Sequence, residues 1–371
     1  MKRFFTSLVI LTLAILTVSL TFNDEAVNPY NLKTGNPEIA SINQLDFGPD
    51  GILFIGDSKN AAVYALDTED SNIMAEGPEI NIEGLDKKIA ASLGTTVDNI
   101  EINDMAVNPN SKKVYFGVTT SSGNVALLRL NGEKFESVDL SDVKHSKMAL
   151  ENPVATDAKD RSDRPLRVWA ISDLKFHDGK VLVSGLSNKE FGSTFRSIPF
   201  PFNDKQDHST LEIYHAAHGQ YETEAPIKAF DVITMEGQDY LMASYTCTPL
   251  VLFPLNELKD GKHNKGRTVA ELGSGNSPLD MISIKKDGEQ YFLMSNTNRP
   301  VMRIKYDDIA SFEQSLTTPV EEFAKTEGVN YINVPMVHIL QLDNYDDNQV
   351  VYVQRTADGD LILRTRPSKW I

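Results

Sequence analysis

Residues 45–67 read LDFGPDGILFIGDSKNAAVYALD, and this stretch decides the fold. An apolar segment with an aspartate inside it (Leu45-Asp46-Phe47) runs into a Gly-Pro-Asp-Gly turn. A second apolar run, a polar loop and a third apolar run follow. Short apolar runs around tight turns predict antiparallel strands. The same order recurs from Asn103, Ser172, Lys228, Leu279 and Val337. Aligned on the first strand, Asp46, Asp104, Asp173, Ala229, Asp280 and His338 share a column, with separations of 58, 69, 56, 51 and 58 residues. A small sheet that recurs but cannot bury both faces alone needs its neighbours, and radial closure of such units gives an all-β fold, a β-propeller. Six blades are expected. The 69-residue spacing and the segments 141–167 and 311–335 leave room for a seventh, degenerate one.

Outside the repeats, the one clear helix signal is IEGLDKKIAASL over 82–93, where Ile82, Leu85, Ile89 and Leu93 fall on one face. It is expected as a cap inserted between blades one and two. The last blade shows three strands, ending near Arg366, so Ala26–Ala40 is the expected donor of a missing outer strand that closes the ring.

The chain has 371 residues, of which 41% are hydrophobic and 24% charged, enough for a large core and unlike a disordered chain. A single cysteine rules out a disulfide scaffold. Lys and Arg number 36 against 52 Asp and Glu, a net charge of -16, which argues against a nucleic-acid or anionic-membrane surface. Residues 1–22 carry Lys2 and Arg3, an apolar stretch from Phe4 to Phe22, and then the polar Asn23-Asp24-Glu25, the pattern of an export signal. An uncleaved anchor is the alternative. Residues 24–371 are then one propeller domain, periplasmic or secreted, with no further stretch long enough to span a membrane.

The pattern resembles the NHL and SMP-30-like group of six-bladed propellers, whose repeats also read apolar-Asp-apolar followed by Pro-Asp-Gly, here Leu45 to Gly51. The resemblance covers about residues 42–371. It implies a fold and leaves activity open, because that group holds metal-dependent lactonases, lyases and binding modules. SMP-30-like enzymes hold their metal with a Glu, two Asn and an Asp, a set that cannot be placed residue by residue in this chain.

Three constellations could carry chemistry. The column Asp46, Asp104, Asp173, Asp280 and His338 should ring the channel mouth, where converging carboxylates and an imidazole suit a divalent cation such as calcium or zinc. Alternatively, each aspartate accepts backbone N–H bonds and staples blade to blade. The stretch EIYHAAHGQYETEAP over 212–226 places His215 and His218 beside Glu222 and Glu224, ligand types for a metal or proton carriers in catalysis. Cys247, in the loop SYTCTP of blade four, should open on the same face, and a thiolate beside imidazoles suits copper or zinc. A buried, inert thiol is the plainer reading. Arg196 and Arg299 are candidate handles for an anionic ligand. His215, His218, Cys247, Arg299 and the aspartates are expected around one channel mouth.

No covalent-haem, phosphate-loop, nucleophile-elbow or EF-hand motif is present. Three functions follow. An exported propeller binding a small molecule, metal or protein at the channel mouth stands first. A metal-dependent, lactonase-like hydrolase is the alternative, and a copper or electron-transfer accessory protein the third.

Overall fold

The computed structural model describes residues 29–371, and the export-signal reading at residues 1–22 lies outside them. Six separate sheets form, one per repeat, and together make a six-bladed β-propeller. Their inner strands are Gln44–Phe47, Ile100–Val107, Asp173–His177, Ala229–Met235, Pro278–Lys286 and Ile339–Asp346, which define blades one to six in chain order. The next strands outward are almost entirely buried, as in Ile52–Asp57 and Ala62–Asp67 of blade one. Their near-continuous apolar runs reflect contact with a neighbouring blade on each face. Among the described residues, no helix is long and apolar enough to cross a membrane.

The order of blades around the ring is not their order in the chain. The inner strands pack in the circuit one, three, four, five, six, two and back to one. After the third strand of blade one, the chain crosses blade two before building it. This crossing is anchored at the buried Asp70, whose carboxylate accepts bonds from Ser111 Oγ (2.7 Å), Tyr115 OH (2.9 Å) and Lys113 Nζ (3.1 Å). Asn81–Glu83 then joins blade six, antiparallel to Leu361–Pro367. Only after the helix Leu85–Ser92 does blade two form, and Val143–Ala149 returns as the fourth strand of blade one. Blade two is therefore an insertion between two strands of blade one, and the return accounts for the long 69-residue spacing.

Three expectations are corrected by this path. The closing strand is Asn81–Glu83; of the expected donor 26–40, the described residues 29–40 instead supply Lys33–Gly35, a fifth strand on the edge of blade one, and residues 26–28 lie outside the described residues. Ile82 belongs to the closing strand rather than to the helix, which starts at Leu85. The helix is not a lid on the disc: Leu85 and Ile89 sit in one apolar cluster with Val114, Phe116, Val351 and Leu363, filling the seam between blades two and six. The segment 141–167 supplies blade one's fourth strand, and 311–335 supplies two-residue strands at the edges of blades four and five, so no seventh blade exists among the described residues.

Because Ile82 is buried at the seam and Thr34 is exposed on an outer edge, their substitutions should differ. Ile82→Ala is expected to cost about 2–4 kcal/mol in denaturant unfolding through the cavity it leaves. Thr34→Ala should stay within about 0.5 kcal/mol of the parent protein.

Candidate functional site

The channel is lined by six aspartates at two alternating levels. Asp104, Asp173 and Asp280 lie opposite Gly117, Ser184 and Ser295 of the second strands. Asp46, Asp231 and Asp343 lie two residues further along their strands than Gln44, Ala229 and Gln341, which hold that first level. Asp46 accepts the backbone N–H of Phe176, Asp173 that of Phe230 (2.8 Å), and Asp280 that of Leu342 (2.8 Å). Asp343 accepts from Val107 N (2.8 Å) and Asp104 from Leu45 N (2.7 Å). In blade four Ala229 holds the aligned column position, opposite Ser244, and Asp231, two residues on, accepts from Ser283 Oγ. Every acceptor is on one blade and every donor on the next, so the six bonds run once around the ring. His338 is not among them: it lies exposed in the loop before blade six, and that blade contributes Asp343 instead.

In four of these carboxylates the second oxygen accepts the backbone N–H of the following residue, as at Leu174, Val232, Met281 and Asn344. The ammonium that pairs with the ring is that of Lys175, whose Nζ is 2.9 Å from Asp231 Oδ1. Burial raises the carboxyl groups: Asp173 to about 8, Asp46 and Asp343 to about 7, Asp280 to about 6, and Asp104 well above its usual range. For Lys175, burial works downward, but Asp231 and Asp46 together hold its ammonium above the usual value. This corrects the expected cation site at Asp46, Asp104, Asp173, Asp280 and His338. These carboxylates are committed to neighbouring backbone, and no three of them come close enough to share an ion.

Among the described residues, the group that does so is His215, His218 and Cys247, whose ligand atoms all lie within 4.8 Å of one another. His215 ends the outermost long strand of blade three, Asp207–His215, and His218 follows in a tight turn closed by His218 N donating to His215 O (3.1 Å). The two rings are 3.8 Å apart. Glu222, on the short strand Gln220–Glu222, accepts from both: His215 Nδ1 at 2.8 Å and His218 Nδ1 at 2.6 Å. Burial works to raise the Glu222 carboxyl, yet the two imidazole bonds pull it down to about 2. An ionised carboxylate only accepts, so both Nδ1 atoms donate and both lone pairs rest on Nε2. His215 Nε2 is buried and has no partner.

Cys247 reaches the pair from blade four. In the turn 245–248, closed by Thr248 N donating to Tyr245 O (2.8 Å), it occupies the third position with φ 67°, and Thr248 follows at φ 60°. Positive φ at that position is usually given to Gly, so a cysteine there carries backbone strain. Cys247 N bonds Asn276 O (2.8 Å) and Thr248 Oγ1 bonds Gly273 O (3.0 Å), which ties the turn to the loop entering blade five.

The other sequence candidates are placed apart from this trio. Glu224 is exposed and turns to the backbone N–H of Gly192 (3.3 Å). Arg299 braces the same loop as Thr248, donating to the carbonyls of Leu272 (2.6 Å) and Ala324 (3.4 Å). Arg196 is fully buried within blade three. The histidine-cysteine trio opens on the face where inner strands begin, but at the rim between blades three and four; the pocket at the channel mouth is lined by three of the expected aspartates, Asp104, Asp173 and Asp280, with Gln44, Lys228 and Gln341. The expectation of one shared mouth is thus corrected: the outer strand of blade three carries the histidines away from the axis. Besides Asp231 and Asp343, two further residues were not singled out from the sequence. Lys175 was hidden by ordinary alternation in its strand. Glu271 is fully buried beside the histidine turn, with Oε2 accepting Ala217 N (3.1 Å) and Oε1 unpartnered, and burial raises its carboxyl.

No protein-family model matches the chain, and no curated protein matches it. Solved structures similar to it include a Thermus thermophilus protein described as a putative oxidoreductase (glucose dehydrogenase), with 11% identity, TM-score 0.37, and 90% of this chain and 100% of that one covered. Drosophila Plexin A, solved with Semaphorin 1b, gives 11% identity and a TM-score of 0.36 over 91% of this chain and 86% of that one. A luciferin-regenerating enzyme gives 8% identity and a TM-score of 0.33 over 91% and 96%. At these values the assignment of the fold rests on the six sheets of the chain itself.

The carboxyls raised in the folded ring contribute stability that is present at acid pH and lost as pH rises through about 6–8. Removing the ring's ammonium should sharpen this. Lys175→Met is expected to cost about 3 kcal/mol at pH 8, where it leaves buried carboxylates uncompensated, and clearly less at pH 4.5, where Asp46, Asp173, Asp280 and Asp343 are protonated. Urea unfolding at the two pH values checks it.

Proposed function

We propose that this chain is an exported metal-binding propeller that holds one copper or zinc ion through His215, His218 and Cys247. The observation that carries the reading is that one carboxylate, Glu222, holds both imidazoles by Nδ1 while the two rings and the Cys247 thiol offer ligand atoms within 4.8 Å of one another. A carboxylate behind a ligating histidine sets its tautomer and raises its basicity. Two imidazoles and a thiolate are soft to borderline donors, which favour copper first and zinc second over calcium. Three protein donors leave a coordination position open, and the half-exposed His218 offers a route to it. Such a site suits metal handling or electron transfer. The lactonase-like reading, which needed a channel cation, has no observation in its favour. Kinship with the NHL and SMP-30-like propellers rests on the sequence pattern at Leu45–Gly51.

Elemental analysis after loading with copper or zinc and desalting tests this. One ion per chain is expected, lost in His215→Ala and in Cys247→Ser and retained in Asp104→Asn. Copper should give a thiolate charge-transfer band that Cys247→Ser abolishes, and Glu222→Gln should weaken affinity about 10–100-fold. Binding that is absent, or that survives both ligand variants, overturns the proposal.

A further inference from the structure

Blade three encloses two basic side chains that have no counter-charge in contact. Arg196, on Ser193–Pro199, and His208, on Asp207–His215, are direct cross-strand partners, and both are fully buried. Residues so paired have Cβ atoms about 5 Å apart on one face of the sheet. Yet they do not bond each other. Arg196 donates once, from Nη2 to the carbonyl of Glu151 (3.0 Å), while its Nε and Nη1 and both ring nitrogens of His208 lack any partner. Buried polar groups are normally satisfied, and an unpaired buried charge is among the costliest defects a fold can hold. The surroundings supply no remedy: Val183 beside Arg196 and the nearby Ile198 are apolar and fully buried, and the carboxylate of Glu151 is exposed.

We propose that Arg196 and His208 form a buried site for one small monovalent anion of halide size, chloride being the common case. A halide accepts several N–H bonds without the directional demands of a carboxylate, and its small size suits unpartnered donors on two adjacent cross-strand side chains. It would accept from Arg196 Nε and Nη1 and from one nitrogen of His208. Lys189, in the loop before Ser193, adds positive potential, and Glu151 is the acidic group facing Arg196. Burial, then Arg196 and Lys189, drive His208 down to about 3, so the empty site holds it neutral. A bound anion favours the imidazolium, so halide should bind more tightly as pH falls. This site is on a different pair of residues from the proposed metal site and stands or falls separately from it.

The test is unfolding of the metal-free, full folded domain in sodium bromide, sodium chloride or sodium gluconate at matched ionic strength, at pH 5 and pH 7.5. Halide binding predicts a midpoint that rises with the logarithm of halide concentration, about 1.4 kcal/mol per tenfold above the dissociation constant. The rise should be larger at pH 5, and His208→Leu should reduce the pH difference. Crystals grown in bromide should show an anomalous peak in contact with Arg196. An identical midpoint in halide and gluconate, or crystals with water in place of bromide at Arg196, overturns the proposal even if His208→Leu proves unfolded.

Discussion

The structure depends on one repeated hydrogen bond: an aspartate on the innermost strand of a blade accepting from the innermost strand of the next. Strand-to-strand bonds mostly end at the edge of each sheet, so around the axis blades meet largely through apolar packing, which has little directional preference. The aspartates supply the missing direction. Asp104 on Leu45, Asp46 on Phe176 and Asp343 on Val107 each set the angle and height of one blade relative to its neighbour. At Asp231 the hydroxyl of Ser283 makes the same link in place of a backbone N–H.

This arrangement concentrates carboxyls along an axis where water is scarce. The fold tolerates it by letting burial raise their affinity for protons and by placing one ammonium, Lys175, among them. An acidic ring that could have held a cation is thereby occupied in holding the protein together. Ligand chemistry moves outward instead, to the rim between blades three and four. There an added outer strand brings His215 and His218 to a cysteine held on a strained turn of the next blade.

Ring closure follows a second constraint. A propeller must join its first and last blades, and here the joint is made by Asn81–Glu83 on Leu361–Pro367, with Leu85 and Ile89 of the helix filling the space behind it. Because that strand lies before blade two in the chain, blade two lands between blades one and six. The buried Asp70, with three donors on blade two, fixes the crossing that makes this possible.

Much of the fold was legible in the residues alone. The strand repeat, the count of six and the aspartate column are local patterns, written in apolar alternation and turn residues within each fifty- to seventy-residue unit. The closeness of the two histidines was legible too, because a spacing of three positions in a tight turn needs no distant partner. What only the tertiary structure decided are relations between residues far apart in sequence. These are the swapped blade order, the ring bonds of Asp231 and Asp343, the meeting of Cys247 with His215, and the isolation of Arg196 beside His208. Each depends on which edges pair across long loops, and the entropy of closing a loop varies too slowly with its length for the sequence to prefer one partner over another. Packing of the blades makes that choice, and with it the placing of the chemistry.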